Sequence, residues 1–493
     1  MSGLRILLGA VLAAFAASST SAREMEDRAL TLAPCHIEHP AKLTAIAAEC
    51  GMLPVAEDPA RPEGRRIDLY VARVPAINRR KRLDPLFVIA GGPGMASTDF
   101  YSGVAPAFAR IRRDRDIVLV DQRGTGRSNA LTCELDQDVL LRATPAVIAA
   151  ETARCLTTLA TRADVAFYTT SLAVRDLDRV RAALGYERVN LYGVSYGSRV
   201  AQHYVRRFPA RARTVILDGV VPPQLILGPA MALDAENALV SILARCARDA
   251  DCRERFGDPV AAYQNLRTQL AERPVPVSLR HPTTGAPWTI TFTDVHFATV
   301  LRLATYASEQ AALLPLALHA ADQEHDFAPL AAQFAMVSDS LENLLAYGMN
   351  ASVVCAEDVP FYDSLAIDRA RLARTYLGTQ QIDGLRKACE VWPRGPMDED
   401  LHAPLVSATA ALLLSGTDDP VTPPAYAEQA RTGFADHRHL VLEEQGHGQL
   451  TAPCVERIMA AFVAAGTARD LETGCTRQLK PMPFFTSVAG PAP

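Results

Sequence analysis

The feature that most constrains this chain is a regular alternation of short apolar runs and amphipathic helical segments between about residues 65 and 220. Residues 86–90 and 117–120 are apolar throughout, as strands buried on both faces must be. Leu172, Leu177, Val180 and Leu184 fall on one face of a predicted helix, with Ser171 at its start as an N-cap and Gly185 at its end. Predicted strands at 189–192 and 214–217 flank a further helix over 198–208. Strands alternating with helices give a mainly parallel sheet with helices on both faces.

The alternation stops near Val221-Pro222-Pro223 and resumes only at 412–414 and 440–442. The stretch between is mostly helical, for example over 233–245 and 297–318, with a hairpin of 277–279 and 288–291 about Gly285. A chain of 493 residues exceeds one ordinary core, which fits a sheet domain split by a helical insertion. The expected division is an export signal over 1–22, the first part of the sheet domain over 23–225, a cap insertion over 226–400 and the second part over 401–493. The Pro-rich tail from Pro481 is expected to be poorly ordered.

The signal reading rests on Arg5, an uncharged apolar run over 6–17 and the small residues Thr20-Ser21-Ala22. That run is well short of the roughly 20 residues a spanning helix needs, so no membrane partner is expected once the signal is removed. Ten cysteines pair most simply as sequence neighbours: Cys35 with Cys50, Cys133 with Cys155, Cys246 with Cys252, Cys355 with Cys389 and Cys454 with Cys475. Five disulfides belong to an oxidising compartment, so the mature chain is expected to be secreted or periplasmic. No Cys/His spacing of a metal site occurs. A net charge of -5 gives no reason to expect nucleic acid, and the basic run Arg79-Arg80-Lys81-Arg82 reads as a solvated loop. Neither composition nor motif bears on oligomeric state.

Gly193-Val194-Ser195-Tyr196-Gly197 matches G-x-S-x-G between a predicted strand and helix, where a tight turn exposes the serine hydroxyl. A hydroxyl is a poor nucleophile until a base takes its proton, and in this arrangement the acid and the base follow on loops after later strands. The loop after 412–414 offers Asp419, with Asp418 as the alternative. The loop after 440–442 offers His447 between two glycines; His437 and His439 are expected to precede or begin the strand. A neutral imidazole must accept the proton, so activity is expected to fall below a histidine pKa of about 6.5. The carboxylate fixes the imidazole tautomer and stabilises the imidazolium. For the oxyanion, the expected donors are the backbone N–H of Tyr196 and that of Gly92 in Gly91-Gly92-Pro93-Gly94, since Pro93 has none.

These pieces resemble the prolyl and tripeptidyl aminopeptidase family of α/β-hydrolases. The match joins Gly91-Gly92-Pro93-Gly94, Asp121-Gln122-Arg123-Gly124-Thr125-Gly126-Arg127-Ser128 and the serine motif through Ser198. It continues with Asp419-Pro420-Val421-Thr422-Pro423 and Gly446-His447-Gly448. Cys355 and Cys389-Glu390-Val391-Trp392-Pro393 are similar to the exported tripeptidyl branch. One departure is Ala90, where many prolyl aminopeptidases carry histidine. The resemblance implies hydrolysis of peptides from a free N-terminus under a helical cap. Recognition of an ammonium group calls for carboxylates, and Glu357 and Asp358 are the candidates. Asp121 and Arg123 are expected to hold a loop together as a buried ion pair.

Two other readings stand beside the exopeptidase: a carboxylesterase or lipase on the same triad, and a catalytically silent binding protein. No cofactor is implied, because the glycine motifs lack dinucleotide and phosphate-loop spacing.

Overall fold

A computed structural model describes residues 30–133, 144–341, 345–479 and 482–491. The expected export signal lies outside them. Nine strands form one sheet: β1 (Ala33–Glu38), β2 (Ala45–Ala56), β3 (Arg66–Val74), β4 (Leu86–Ile89), β5 (Ile117–Val120), β6 (Val189–Val194), β7 (Ala212–Asp218), β10 (Ala410–Gly416) and β11 (His437–Leu442). Their spatial order is β1-β2-β3-β5-β4-β6-β7-β10-β11. The pairs from β1 to β5 run antiparallel, and those from β5 to β11 run parallel. This is the α/β-hydrolase sheet, mainly parallel and covered by helices.

The parallel strands β4, β5, β6 and β10 are buried at every residue, because helices cover both faces. Alternate residues feed separate cores. Phe87, Val118, Leu191, Val215 and Leu413 pack on one face, while Val88, Leu119, Tyr192, Ile216 and Leu412 pack on the other. The edge hairpin β1–β2 escaped the periodicity reading, since β1 buries little more than Ile37. The disulfide Cys35–Cys50 ties these two strands where burial does little. All five disulfides join the cysteines expected to pair.

The described residues between β7 and β10, 219–341 and 345–409, lie outside this sheet. They form helices with one two-stranded sheet, β8 (Val275–Arg280) and β9 (Pro287–Phe292), and bury a core of their own around Leu239, Leu266, Phe297, Leu318 and Phe334. The helical stretch expected over 297–318 is made of three helices, Asp294–Ala304, Ser308–Ala311 and Leu314–Gln323. Pro315 sits in the first turn of the third, and the carbonyl of Tyr306 accepts the N–H of His447 (2.9 Å) instead of a helical partner.

Two further expectations are corrected. The helix with Leu172 and Leu177 spans Thr170–Ala183 with Thr169 as N-cap; the Ser171 hydroxyl accepts the N–H of Asp398 (2.8 Å) instead. The described tail is also anchored. Phe484 is buried against Ile242, Cys246 and Phe256, with Arg245 stacked 5.1 Å over its ring, and the Phe485 N–H bonds to the Ala312 carbonyl.

The disulfide Cys355–Cys389 closes a span of 34 residues and ties helix Tyr347–Glu357 to helix Gln380–Val391. Replacing both cysteines by alanine should cost about 3–4 kcal/mol in the chain-entropy account. Equilibrium denaturation measures it, and a loss below about 1 kcal/mol would show that the span is held by packing alone.

Candidate active site

The sequence places a serine at the carboxyl end of β6, and the backbone there takes a form that serine seldom adopts. Ser195 has φ 56° and ψ -127°, with the helix Tyr196–Arg207 starting at the next residue. A side chain in this region of φ/ψ space carries strain of about 1–3 kcal/mol, so the surroundings must over-determine it. Glycines at both flanks are required by contact. A Cβ on Gly193 would land on the carbonyl of Gly197, and one on Gly197 would land on the carbonyls of Ile89 and Ala90. The Ser195 N–H donates to the Asp218 carbonyl (2.8 Å). The Ser198 hydroxyl donates to the Ser195 carbonyl (2.6 Å) and accepts the Val221 N–H (2.8 Å).

The two later loops meet as the sequence order requires. His447 Nδ1 lies 2.8 Å from Asp419 Oδ2, with the imidazole 10 % exposed and the carboxylate sealed from solvent. Asp419 also accepts the N–H groups of Val421 and Thr422 through Oδ1 and the Thr422 hydroxyl through Oδ2. The alternatives are engaged elsewhere: Asp418 pairs with Arg245 (2.6 Å), His437 bonds to the Phe434 carbonyl, and His439 bonds to Glu428 and Ser415. Asp218, at the end of β7, lies between the loops. Its carboxylate accepts the Tyr192 hydroxyl (2.7 Å) and the Gln449 N–H (2.9 Å), two residues beyond His447. The strand signal at 214–217 stopped one residue short of it.

Burial alone would raise the Asp419 pKa, but the facing imidazole and the Thr422 hydrogen bonds outweigh it and hold the carboxyl below its ordinary value. For His447 burial would depress the pKa; the charges of Asp419 and Asp218 prevail over that and over Arg302, and the imidazole ends above 6.5. This pairing suits a base that must become and remain an imidazolium during a proton transfer.

The Gly91–Gly94 turn lies across from the serine. A Cβ on Gly91 would stand 3.0 Å from the Ser195 Cβ, and Gly92 adopts φ +112°. Tyr196 begins its helix, where an N–H has no intrahelical acceptor. Its phenol is buried and shares a 2.6 Å hydrogen bond with the Thr170 hydroxyl. Ala90 is buried, and its N–H faces the Ser97 hydroxyl at 3.4 Å.

One sequence expectation is corrected, and the acidic pair is found with partners inside the protein. Glu357 and Asp358 are fully buried. Glu357 accepts the Thr170 N–H (2.6 Å) and hydroxyl (2.7 Å); burial pushes its pKa up to about 7 against the pull of Arg199. Asp358 pairs with both terminal nitrogens of Arg199 (3.0 and 3.1 Å) and accepts the Leu227 N–H. A buried arginine on the helix after Ser195 requires such a partner, and the pair at 357–358 supplies it. Asp121 and Arg123 do build loops, but not with each other. Arg123 pairs with Asp176 (2.6 and 2.9 Å), while Asp121 accepts bonds from Thr98 and the Arg127 N–H.

The insertion reaches both rims of the site, which no sequence signal marked. Tyr306 meets the His447 ring edge-on with centroids 5.2 Å apart. On the other side the Ala346 N–H donates to the Gly94 carbonyl (3.0 Å), and Asn350 donates to the Pro93 carbonyl (3.0 Å).

Comparison with known proteins agrees with this architecture. Residues 84–243 match the family described as alpha/beta hydrolase fold, and residues 374–475 match the one described as TAP-like protein. The chain therefore joins an α/β-hydrolase segment to a TAP-like segment. It is 28% identical over 478 residues to serine protease Hip1 of Mycobacterium tuberculosis, covering 90% of each chain. It is 32% identical over 191 residues to a tripeptidyl aminopeptidase of Streptomyces lividans, covering 36% of each. The protein is a serine hydrolase, and its five disulfides are those of a chain that folds in an oxidising compartment.

The raised His447 pKa has a defined sign. With His447 as the general base expected from the sequence, activity is lost as pH falls through that value, so the acid limb of kcat/KM should lie above about 6.5. Asp419→Asn removes the largest charge raising it; the limb should move down and kcat should fall by about 10⁴-fold. A pH–rate profile whose acid limb is unmoved in that variant would rule out the Asp419–His447 pairing as its origin. Gly197→Ala should lose activity even where the chain still folds, since its Cβ has no room beneath Ile89 and Ala90.

Proposed function

We propose that this hydrolase is an exported serine exopeptidase that removes residues or short peptides from free N-termini through an acyl-enzyme on Ser195. In this reading His447 takes the Ser195 proton and returns it to the leaving amine, while Asp419 holds the imidazole tautomer. The N–H groups of Gly92 and Tyr196 receive the oxyanion. The observation that carries the reading is the roof over the site. Tyr306 lies on the base and Ala346 and Asn350 lie on the glycine turn, so insertion residues bound the serine from both sides. A covered site of this kind favours a chain end over the middle of a folded polypeptide. A relative named as a tripeptidyl aminopeptidase supports the same direction. The ammonium group is then read by groups other than Glu357 and Asp358, whose carboxylates hold the helix after the nucleophile.

Free and N-acetylated mono-, di- and tripeptide arylamides, offered beside short and long acyl esters, test the proposal. Free peptides should be turned over and their acetylated forms should not. Equal turnover of the two would remove the exopeptidase reading, and preference for the esters would favour a carboxylesterase. Ser195→Ala should abolish fluorophosphonate labelling and lower kcat by on the order of 10⁴-fold or more. Retained labelling would displace Ser195 as the nucleophile.

A further inference from the structure

The insertion holds a second polar centre that the chemistry at Ser195 leaves unused. A cavity of about 530 Å³ opens among the helices Pro145–Ala160, Asp294–Ala304 and Gln380–Val391. Its wall is apolar at Ile148, Val295 and Leu377, and it includes Arg302 and Tyr376. Tyr376 is 9% exposed, and its hydroxyl faces the Arg302 guanidinium and, among the described residues, no other polar partner. Nη1 of Arg302 is shut off from solvent and has no acceptor at hydrogen-bond geometry among the described residues. The carboxylates among the electrostatic neighbours of Arg302 are Asp419, which is committed to His447, and Asp234, which accepts the Tyr426 hydroxyl (2.6 Å). The acid in the cavity lining, Asp383, is held by Arg369 (2.8 Å).

A largely buried guanidinium without a dedicated counter-ion is costly, and its planar fork matches a carboxylate in two parallel hydrogen bonds. A tyrosine hydroxyl beside it adds a third donor. Position indicates which part of a substrate would supply the anion. The Arg302 guanidinium carbon lies 5.8 Å from the centroid of Tyr306, whose ring meets His447 at 5.2 Å. The imidazole delivers its proton to the departing amine, so groups beyond it in the cap face the leaving side of the scissile bond. Extended peptide advances about 3.5 Å per residue, so no more than about three residues bridge the gap.

We propose that Arg302 and Tyr376 form a carboxylate-binding subsite on the leaving side, making the preferred substrates short peptides that carry a carboxylate within about three residues of the scissile bond. The anion is either the C-terminus of the peptide or an acidic side chain at the same place. This deepens the peptidase reading of Ser195 and rests on it.

The test uses peptides identical up to two residues past the cleaved bond, ending there as a free acid, as an amide, or as an amide with glutamate at that position. For the wild-type enzyme, kcat/KM for at least one carboxylate-bearing peptide should exceed that of the plain amide by about tenfold to hundredfold, chiefly through KM. An advantage confined to the free acid assigns the subsite to C-termini; one shared by the glutamyl amide extends it to side chains. Arg302→Gln should bring the three substrates to within about twofold of one another, Arg302→Lys should keep part of the preference, and Tyr376→Phe should reduce it. These are ratios within one preparation, so a poorly folding variant does not obscure them. Equal turnover of all three by the wild type, or a ratio unchanged in Arg302→Gln, would overturn the proposal. Repeating the series with N-acetylated peptides separates the two readings: if blocked peptides are cleaved with the same carboxylate preference, the exopeptidase reading fails and the subsite stands.

Discussion

The strained turn at Ser195 is the constraint to which the rest of the site answers. A serine at φ 56° persists only where every neighbour excludes the relaxed alternatives. Glycines at 193 and 197 let the strand and helix close on each other, and Ser198 bridges the turn to Val221. The helix that follows is then pinned from the insertion. Thr170 joins the Tyr196 phenol to Glu357, and Asp358 takes both terminal nitrogens of Arg199. Residues far apart in the chain therefore hold one backbone conformation. The helix 347–357 that carries this clamp is itself fixed by the Cys355–Cys389 disulfide.

The acidic pair at 357–358 shows how the same residue types can serve function or fold. In the sequence two carboxylates after a cysteine suit an ammonium site. In the structure one is buried beside a threonine and the other faces an arginine on the helix after Ser195, so their charge is consumed internally. Breaking a buried pair leaves an uncompensated charge, which is costly. Their importance to activity would thus act through the position of Ser195 rather than through substrate.

The parts of the molecule legible in the sequence are those set by local pattern. Apolar runs at 86–90, 117–120 and 412–414 announce doubly covered strands; the serine and the aspartate each follow a fully buried strand, and the histidine follows the half-buried edge strand β11. Asp419 and Asp418 are adjacent and chemically alike, so only the fold separates them: one meets His447 and the other meets Arg245. The hairpin β1–β2 was hidden because a sparsely buried edge strand has weak periodicity. Tyr306 and Arg302 were hidden for another reason. They lie on and just after a cap helix whose spacing reads only as amphipathic, and their relation to His447 is made by tertiary packing across more than a hundred residues. A helix break at 305–307, which frees the Tyr306 carbonyl for the His447 N–H, has no strong breaker residue to mark it.

Charge around the imidazole follows from the same packing. Asp419 and Asp218 raise its proton affinity from the sheet side, while Arg302 lowers it from the insertion. Asp218 ends β7 and Asp419 lies on the loop after β10, while the cation belongs to the insertion helix Asp294–Ala304. A substrate anion seated on Arg302 would neutralise the opposing charge and so strengthen the base at the moment the site is filled. Coupling of this kind requires only that the guanidinium be near the imidazole and lack a counter-ion of its own. Its sign is fixed by Coulomb's law: occupancy must raise the proton affinity of His447, and the apparent pKa in the complex must exceed that of the free enzyme.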